Sequence, residues 1–365
     1  MKNNNLCLKY RPFQLNDIVG QKFVVATLKQ ASIQDNFYNS YIFSGNKGCG
    51  KTTTARILAN LLTCENPKDG VLCGECTACK SIHKGFSMDI SEMDGAAKGS
   101  KEEVVKLIDS ARYSPSELKR KVYIIDECHQ LSGAAISALL KIVEEPPEYL
   151  HFVFCTTELN KIPATILSRS QRFNFGKIMS KEVVGRLKVI SSKEDISIDD
   201  ESLFELAKLG RGSMRDSIAY LQQIATVAAG KPITAKHIQK YFGLSDRLAF
   251  YNMVEAMIGQ NYALLMDQVN DLVVASVDVK SILYEISEVF RGIMVLKAQK
   301  GKVGLIDLPD NEIEKMNKLG ESIKLSQLDQ LSRTFANVNK ELDYGINERW
   351  VLETTLIRCA SMLKT

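Results

Sequence analysis

The chain has no run of apolar residues long enough to cross a bilayer, and its opening residues, Met1-Lys2-Asn3-Asn4-Asn5, hold no apolar secretory core. A membrane span and export are therefore not expected, and the nine cysteines are not read as a disulfide framework. Neither a low-complexity tract nor a 20–50-residue repeat, the period of roughly one solenoid unit, is present. Charge of either sign is scarcely in excess: 47 Lys and Arg against 43 Asp and Glu leave a net charge of +4. That balance permits nucleic-acid binding without demanding it. At 365 residues and 45% hydrophobic content, two or three domains with real cores are expected.

Against these absences, two features stand close together. Gly45-Asn46-Lys47-Gly48-Cys49-Gly50-Lys51-Thr52 matches the phosphate-loop pattern G-x-x-x-x-G-K-T in full. Tyr41-Ile42-Phe43 reads as the buried strand leading into it. Gly45, Gly48 and Gly50 let successive N–H groups turn toward phosphate oxygens, with Cys49 and Thr53 on the same path. Lys51 can reach the β- and γ-phosphates of ATP, and the Thr52 hydroxyl can ligate Mg²⁺. The helix expected from Thr52 to about Leu62 points its positive end at the anion.

A second apolar run, Val122-Tyr123-Ile124-Ile125, ends in Asp126-Glu127. After a phosphate loop, such a pair suits hydrolysis: Asp126 to help hold Mg²⁺ and Glu127 to orient or deprotonate the attacking water.

The second feature is Cys64 followed by Cys73-x-x-Cys76-x-x-Cys79. Clustered thiolates suit tetrahedral Zn²⁺. An iron–sulfur run would need a cysteine four residues after Cys79, where His83 stands. Cys73, Cys76, Cys79 and His83 would make a Cys₃His zinc site as well, so the fourth ligand is open between Cys64 and His83. Cys49, Cys128 and Cys155 read as small apolar fillers.

Strand-like runs at Tyr41–Phe43, Met88–Met93, Val122–Ile125, His151–Cys155 and Phe173–Phe175 alternate with helical patterns, which argues a parallel α/β sheet. One helix is capped by Ser132 and stopped by Pro146-Pro147. Beyond about Lys177 only helical patterns remain. The expected architecture is an α/β nucleotide domain over 1–177 with the cysteine module at about 64–79, a small helical lid over 178–243, and an all-α domain over 244–365.

An α/β phosphate-loop domain followed by a helical lid resembles AAA+ ATPases, and in particular the gamma/tau-type subunits of bacterial DNA polymerase III clamp loaders. Lys9-Tyr10-Arg11-Pro12 and Ile18-Val19-Gly20-Gln21 resemble the family's segment around the adenine, which implicates Tyr10, Arg11 and Val19. Glu144-Glu145-Pro146-Pro147 and the C-x₈-C-x₂-C-x₂-C spacing also match. The resemblance implies that Cys64, not His83, completes a zinc module. It further implies that Thr157 is a sensor near the γ-phosphate and that Arg215, in Gly212-Ser213-Met214-Arg215-Asp216, is a second sensor on the lid. In Ser168-Arg169-Ser170 the family has a cysteine where Ser170 stands, and Arg169 would reach the ATP of a neighbouring subunit. The function that the resemblance implies is a replication ATPase with ATP, Mg²⁺ and Zn²⁺ as ligands. Its last domain would be a collar-type oligomerisation domain. Its partners would be copies of itself, subunits of delta and delta-prime type, the sliding clamp and primer–template DNA bound without sequence preference. A cytoplasmic, nucleoid-associated location goes with them. Lys98, Lys101 and Lys141 are the candidate DNA contacts, and Tyr113-Ser114-Pro115 a candidate clamp contact.

Overall fold

Both faces of the apolar runs need cover, and the chain supplies helices on each side. The structure, a computed structural model, describes residues 5–83, 87–242, 247–275, 277–299, 308, 310–343 and 347–364. Two compact units form, Met1–Pro232 and Ile233–Thr365. The division expected at 177/178 falls inside the first unit; the one at 243/244 lies outside the described residues.

The first unit contains strands β1 Ser40–Gly45, β2 Ile90–Asp94, β3 Lys121–Asp126, β4 Leu150–Thr156 and β5 Gln171–Phe175. They pair in parallel in the order β2-β3-β4-β1-β5. All five expected strands are present, with ends shifted by a residue or two. At the head of β2, which starts at Ile90 rather than Met88, stands Asp89. Its buried carboxylate accepts backbone N–H bonds from Ser116, Glu117 and Leu118 at 2.8–3.1 Å and pins that loop.

Helices α1 Leu6–Lys9, α2 Lys22–Ile33, α3 Lys51–Thr63, α4 Thr77–His83, α5 Gly95–Lys98, α6 Lys101–Ala111, α7 Gly133–Glu144 and α8 Ala164–Arg169 accompany the sheet. After β5 come α9 Ser180–Lys193, α10 Asp200–Leu209 and α11 Met214–Ala228. Local signals account for the ends. The Ser132 hydroxyl accepts the Ala135 N–H at 3.2 Å to start α7, and Ser213 caps α11 through the Asp216 N–H at 3.2 Å. Strand alternation splits the core in two. Phe43, Val122, Val153 and Phe173 pack with α2 and α3 through Leu28, Leu58 and Leu62. Ile42, Tyr123, Phe152 and Phe154 pack on the other face with Val104, Ile108 and Leu139. Burial on both sides is why these strands read as unbroken apolar runs.

Among the described residues the elements of the second unit are helices: α12 Ala235–Phe242, α13 Arg247–Ile258, α14 Tyr262–Val274, α15 Val279–Ala298, α16 Asp310–Glu321, α17 Leu325–Asp343 and α18 Glu348–Met362. Helices α13 to α18 share one apolar core that includes Phe250, Ile286, Phe290, Leu331 and Leu356. Glu312 binds both Arg247 and the Tyr251 hydroxyl at its edge. No helix among the described residues is long and apolar enough to cross a membrane.

One core residue carries a pH dependence. His151 in β4 is buried, and its Nδ1–H donates to the Tyr38 carbonyl at 2.9 Å while Nε2 has no partner. Burial pulls its pKa down to about 4. Unfolded histidine titrates near 6.5, so between about pH 4 and 6.5 only the unfolded chain binds this proton, and stability rises with pH across that window. Urea unfolding of the first unit should show wild type losing roughly 2 kcal/mol more than His151→Gln between pH 7 and 5. Parallel pH curves for the two proteins would contradict this.

Candidate nucleotide site and cysteine cluster

The loop between β1 and α3 takes its path through close backbone approaches. A Cβ on Gly45 (φ +144°) would lie 2.2 Å from the Phe175 carbonyl oxygen, and one on Gly48 (φ +74°) 1.9 Å from the Ser213 hydroxyl. Only glycine fits either place. The Met214 N–H donates to the Gly48 carbonyl at 3.1 Å, so the start of α11 rests on the loop. Lys51 is buried at the head of α3, and its ammonium donates to the Gly45 and Asn46 carbonyls at 2.8 and 2.9 Å. Thr52 and Thr53 follow it in the first turn. Cys49 is buried with its thiol on the Asn46 carbonyl at 2.8 Å, and burial pushes that thiol above its ordinary pKa, as suits an inert filler.

The acid pair meets this loop. Asp126 ends β3 and its Oδ2 accepts the Thr52 hydroxyl at 2.8 Å. Glu127 adopts a left-handed backbone (φ 46°, ψ 43°), and its N–H donates to Asp126 Oδ1 at 3.0 Å. Such a conformation costs a non-glycine residue about 1–3 kcal/mol and gathers at functional sites. Here it turns the Glu127 carboxylate toward the end of β4, where the Thr157 hydroxyl donates to Oε2 at 3.3 Å. Lys51, Thr52, Asp126, Glu127 and Thr157 are thus brought together from three parallel strand ends.

The arginines divide. Arg215 lies in the first turn of α11, with its Cβ 3.4 Å from where a Gly48 Cβ would stand. Arg169 ends α8 elsewhere: its Nη2 pairs with Glu144 Oε1 at 3.1 Å, its Nη1 donates to the Thr165 carbonyl at 3.1 Å, and the side chain is 41% exposed. Among the described contacts none joins Arg169 to its own phosphate loop. In the N-terminal segment the Tyr10 hydroxyl binds Glu194, and the Tyr10 carbonyl accepts Arg186 Nη2 at 3.1 Å. Arg11 and Val19 are half-buried nearby in sequence. Lys98, Lys101 and Lys141 are exposed on α5, α6 and α7, and α5 abuts the acid-pair turn, since a Cβ on Gly95 would lie 2.8 Å from the Glu127 carbonyl. Tyr113 is exposed beside the loop that Asp89 pins.

Two polar residues hold this site together in ways that the sequence did not specify: Gln21, which the sequence places only within the adenine-side segment, and His129. The Gln21 amide clasps both backbone groups of Gly176, donating to its carbonyl at 2.8 Å and accepting its N–H at 3.2 Å, and also reaches the Cys49 carbonyl. His129 stands between the acid pair and the end of β4. Its place two residues after Glu127 was a usable signal; Gln21 needed the fold.

The cysteine cluster closes over the far end of α3. Cys64 is the C-cap of that helix, and the Sγ atoms of Cys64, Cys73, Cys76 and Cys79 lie within 4.8 Å of one another. The Cys64–Cys73, Cys64–Cys79 and Cys73–Cys79 sulfurs are 3.6, 3.8 and 3.9 Å apart. A tetrahedron of Zn–S bonds of about 2.3 Å has edges of about 3.8 Å, so the cage has the size of a zinc site. Backbone N–H groups of Glu75 and Cys76 pull the Cys73 thiol down to about 6, whereas burial pushes Cys64 and Cys79 up. All nine cysteines are free. The side chain of the alternative ligand, His83, lies outside the described residues.

A parallel sheet with a phosphate loop after β1 and an acid pair at the end of β3 defines a phosphate-loop nucleotide-binding protein. Residues 20–179 match the family model described as DNA polymerase III, delta subunit, and residues 233–365 the one described as DNA polymerase III subunits gamma and tau domain III. The chain is 32% identical to the DNA polymerase III subunit tau of Bacillus subtilis over 96% of its own length and 62% of that protein. It is 31% identical to the DNA polymerase III subunit gamma of Buchnera aphidicola from Acyrthosiphon pisum, over 98% of its length and 99% of that protein. The chain belongs to the DNA polymerase III gamma/tau family. It spans less than two thirds of the Bacillus subtilis relative. Among solved structures, the Bacillus subtilis DNA clamp loader delta protein aligns with 92% of this chain and 99% of that one at 16% identity and a TM-score of 0.42; the family assignment rests on the sequence relatives alone.

The loop geometry has a direct consequence. Gly48→Ala should destabilise the first unit by about 1–3 kcal/mol from backbone strain alone, with the Ser213 clash adding to it. Gly133→Ala, where nothing stands within 4 Å, should leave the melting temperature unchanged or raised. Equal melting temperatures for the two variants would show that the loop does not bear on α11.

Proposed function

We propose that the chain is the ATPase motor subunit of a DNA polymerase III clamp loader, working by ATP binding and hydrolysis between subunits. The observation that carries this reading is the 2.8 Å bond between Thr52 and Asp126, which sets both would-be Mg²⁺ ligands side by side at the phosphate loop. When bound there, Mg²⁺ would offset charge on the triphosphate. The remaining work falls to side chains of the protein. Lys51 holds the β- and γ-phosphates and exchanges its two carbonyl partners for phosphate oxygens. Glu127 orients the attacking water and takes its proton, while Thr157 and Arg215 respond to the γ-phosphate. Tyr10, Arg11 and Val19 contribute to the adenine side. Arg169, having no contact to its own loop, acts on the nucleotide of a neighbouring copy or of a delta-type subunit, which makes turnover depend on assembly.

The three-part division belongs to the same reading: an AAA+ domain, a lid over 178–243 and a collar-type oligomerisation domain over 244–365. ATP-driven closure of the nucleotide domains would open the sliding clamp, and primer–template DNA would trigger hydrolysis and release. Lys98, Lys101 and Lys141 supply sequence-independent phosphate contacts, and Tyr113-Ser114-Pro115 a clamp contact. Work on DNA implies a cytoplasmic, nucleoid-associated protein. Zn²⁺ held by Cys64, Cys73, Cys76 and Cys79 is structural in this scheme. Four thiolates so close would repel one another, and a dication offsets that charge while fixing the end of α3.

ATP turnover of the full chain, assembled with its partner subunits, tests the reading with and without primed DNA and clamp. Stimulation is expected, and Glu127→Gln should keep ATP binding while losing about 10²-fold or more in rate. Turnover indifferent to DNA would overturn the motor assignment. For the metal, purified protein should contain zinc by elemental analysis, lose it in Cys64→Ser and keep it in His83→Ala; the reverse pattern would make His83 the fourth ligand.

A further inference from the structure

His129 is held differently from the other buried histidine of the first unit. His151 spends one nitrogen on a backbone carbonyl and leaves the other without a hydrogen-bond partner. Both nitrogens of His129 instead face polar side chains, although the ring is only 7% exposed. Its Nδ1 is 3.1 Å from the Thr156 hydroxyl and 3.5 Å from Glu127 Oε2, and its Nε2 is 3.3 Å from Glu158 Oε1. Glu158 in turn pairs with Lys161 at 2.9 Å, and its backbone N–H donates to the Thr156 hydroxyl at 2.9 Å.

The ring therefore bridges two segments. One is the left-handed turn after β3 that carries Glu127; the other is the turn after β4 that carries Thr157. The Glu127 carboxylate is gripped at the same oxygen by the Thr157 hydroxyl, at 3.3 Å. A carboxylate on a strained turn has few other constraints on its direction. An imidazole locked at its far nitrogen by a carboxylate and at its near side by a hydroxyl is a rigid stop against which that carboxylate can lie.

We propose that His129 is a positioning residue for hydrolysis: it aims the Glu127 carboxylate at the attacking water and ties that aim to the Thr156–Glu158 segment. The proposal rests on the reading of Glu127 as the group that orients water. In this role His129 acts through Glu127 and not on the nucleotide, so its loss should fall on kcat and leave ATP affinity alone. Misplacing a reacting group by about 1 Å costs up to roughly 10²-fold in rate.

The test is steady-state ATP turnover of the assembled full-chain complex with primed DNA and clamp, with ATP Kd measured separately by a fluorescent analogue. His129→Leu removes both ties. His129→Asn keeps an amide near the Nδ1 position, facing Thr156 and Glu127; His129→Gln keeps one near Nε2, facing Glu158. His129→Leu and His129→Gln should lose roughly 10- to 100-fold in kcat with Kd and KM changed less than about twofold, and His129→Asn should recover most of the rate. In a Glu127→Gln background His129→Leu should cause no further loss. If His129→Leu turns over within about twofold of wild type while Glu127→Gln is inactive, the proposal fails and the reading of Glu127 stands. A Glu127→Gln protein with full turnover sinks both. If His129→Leu proves unstable, His129→Asn and His129→Gln decide together: a loss in His129→Asn as large as that in His129→Gln contradicts the Nδ1-side tie.

Discussion

The phosphate loop takes a path open only to a chain without Cβ atoms at Gly45 and Gly48, pressed by the Phe175 carbonyl on one side and the Ser213 hydroxyl on the other. From that squeeze the rest of the site takes its position. The Gly45 contact ties the loop to β5 at the sheet edge, in register with the Gly45–Phe175 pairing. The Gly48 contact, with the Met214 N–H on its carbonyl, ties it to α11. Lys51 and Thr52 then emerge at a fixed place, and Thr52 meets Asp126 because α3 packs across β3. A shift of α11 reaches the loop through the Met214–Gly48 hydrogen bond and the close approach of Ser213. In the proposed function this is how a lid arginine and the triphosphate would sense one another.

At the other end of α3 the logic is independent of the nucleotide. Cys64 caps the helix and joins Cys73 and Cys76 of the following segment and Cys79 of α4 in a cage of zinc dimensions. In the proposed function, a Zn²⁺ held there would tie down the end of the helix that begins at the phosphate loop.

The sequence made the sheet legible because its strands are buried on both faces and read as apolar runs between turn residues. It also made the loop, the acid pair and the cysteine cage legible, since local backbone requirements fix their spacings. The parts it hid depend on long-range closure. Nothing near Met88 indicated that Asp89 would collect N–H groups from residues 116–118. Gln21 clasps Gly176 across a separation of 155 residues. The Arg169–Glu144 pair joins the ends of α7 and α8, and neither residue signals its partner in sequence. His129 was visible beside the acid pair, but its second contact, Glu158, comes from another strand end.

The feature with the widest functional consequence is a separation. Lys51, Thr52, Asp126, Glu127 and Thr157 converge, while Arg169 is held on the surface by Glu144. An exposed pair of this kind contributes little to stability, about 1 kcal/mol or less, so it can be exchanged for a phosphate at small cost. In the proposed function the site is half of a shared one, completed by a neighbouring subunit. A structure of the assembled complex with a non-hydrolysable ATP analogue tests this most directly. Arg169 should leave Glu144 and lie at about 2.7–3.2 Å from a phosphate oxygen of the nucleotide on a neighbouring subunit. Arg169 still paired with Glu144 and remote from every nucleotide in the closed assembly would contradict the shared site.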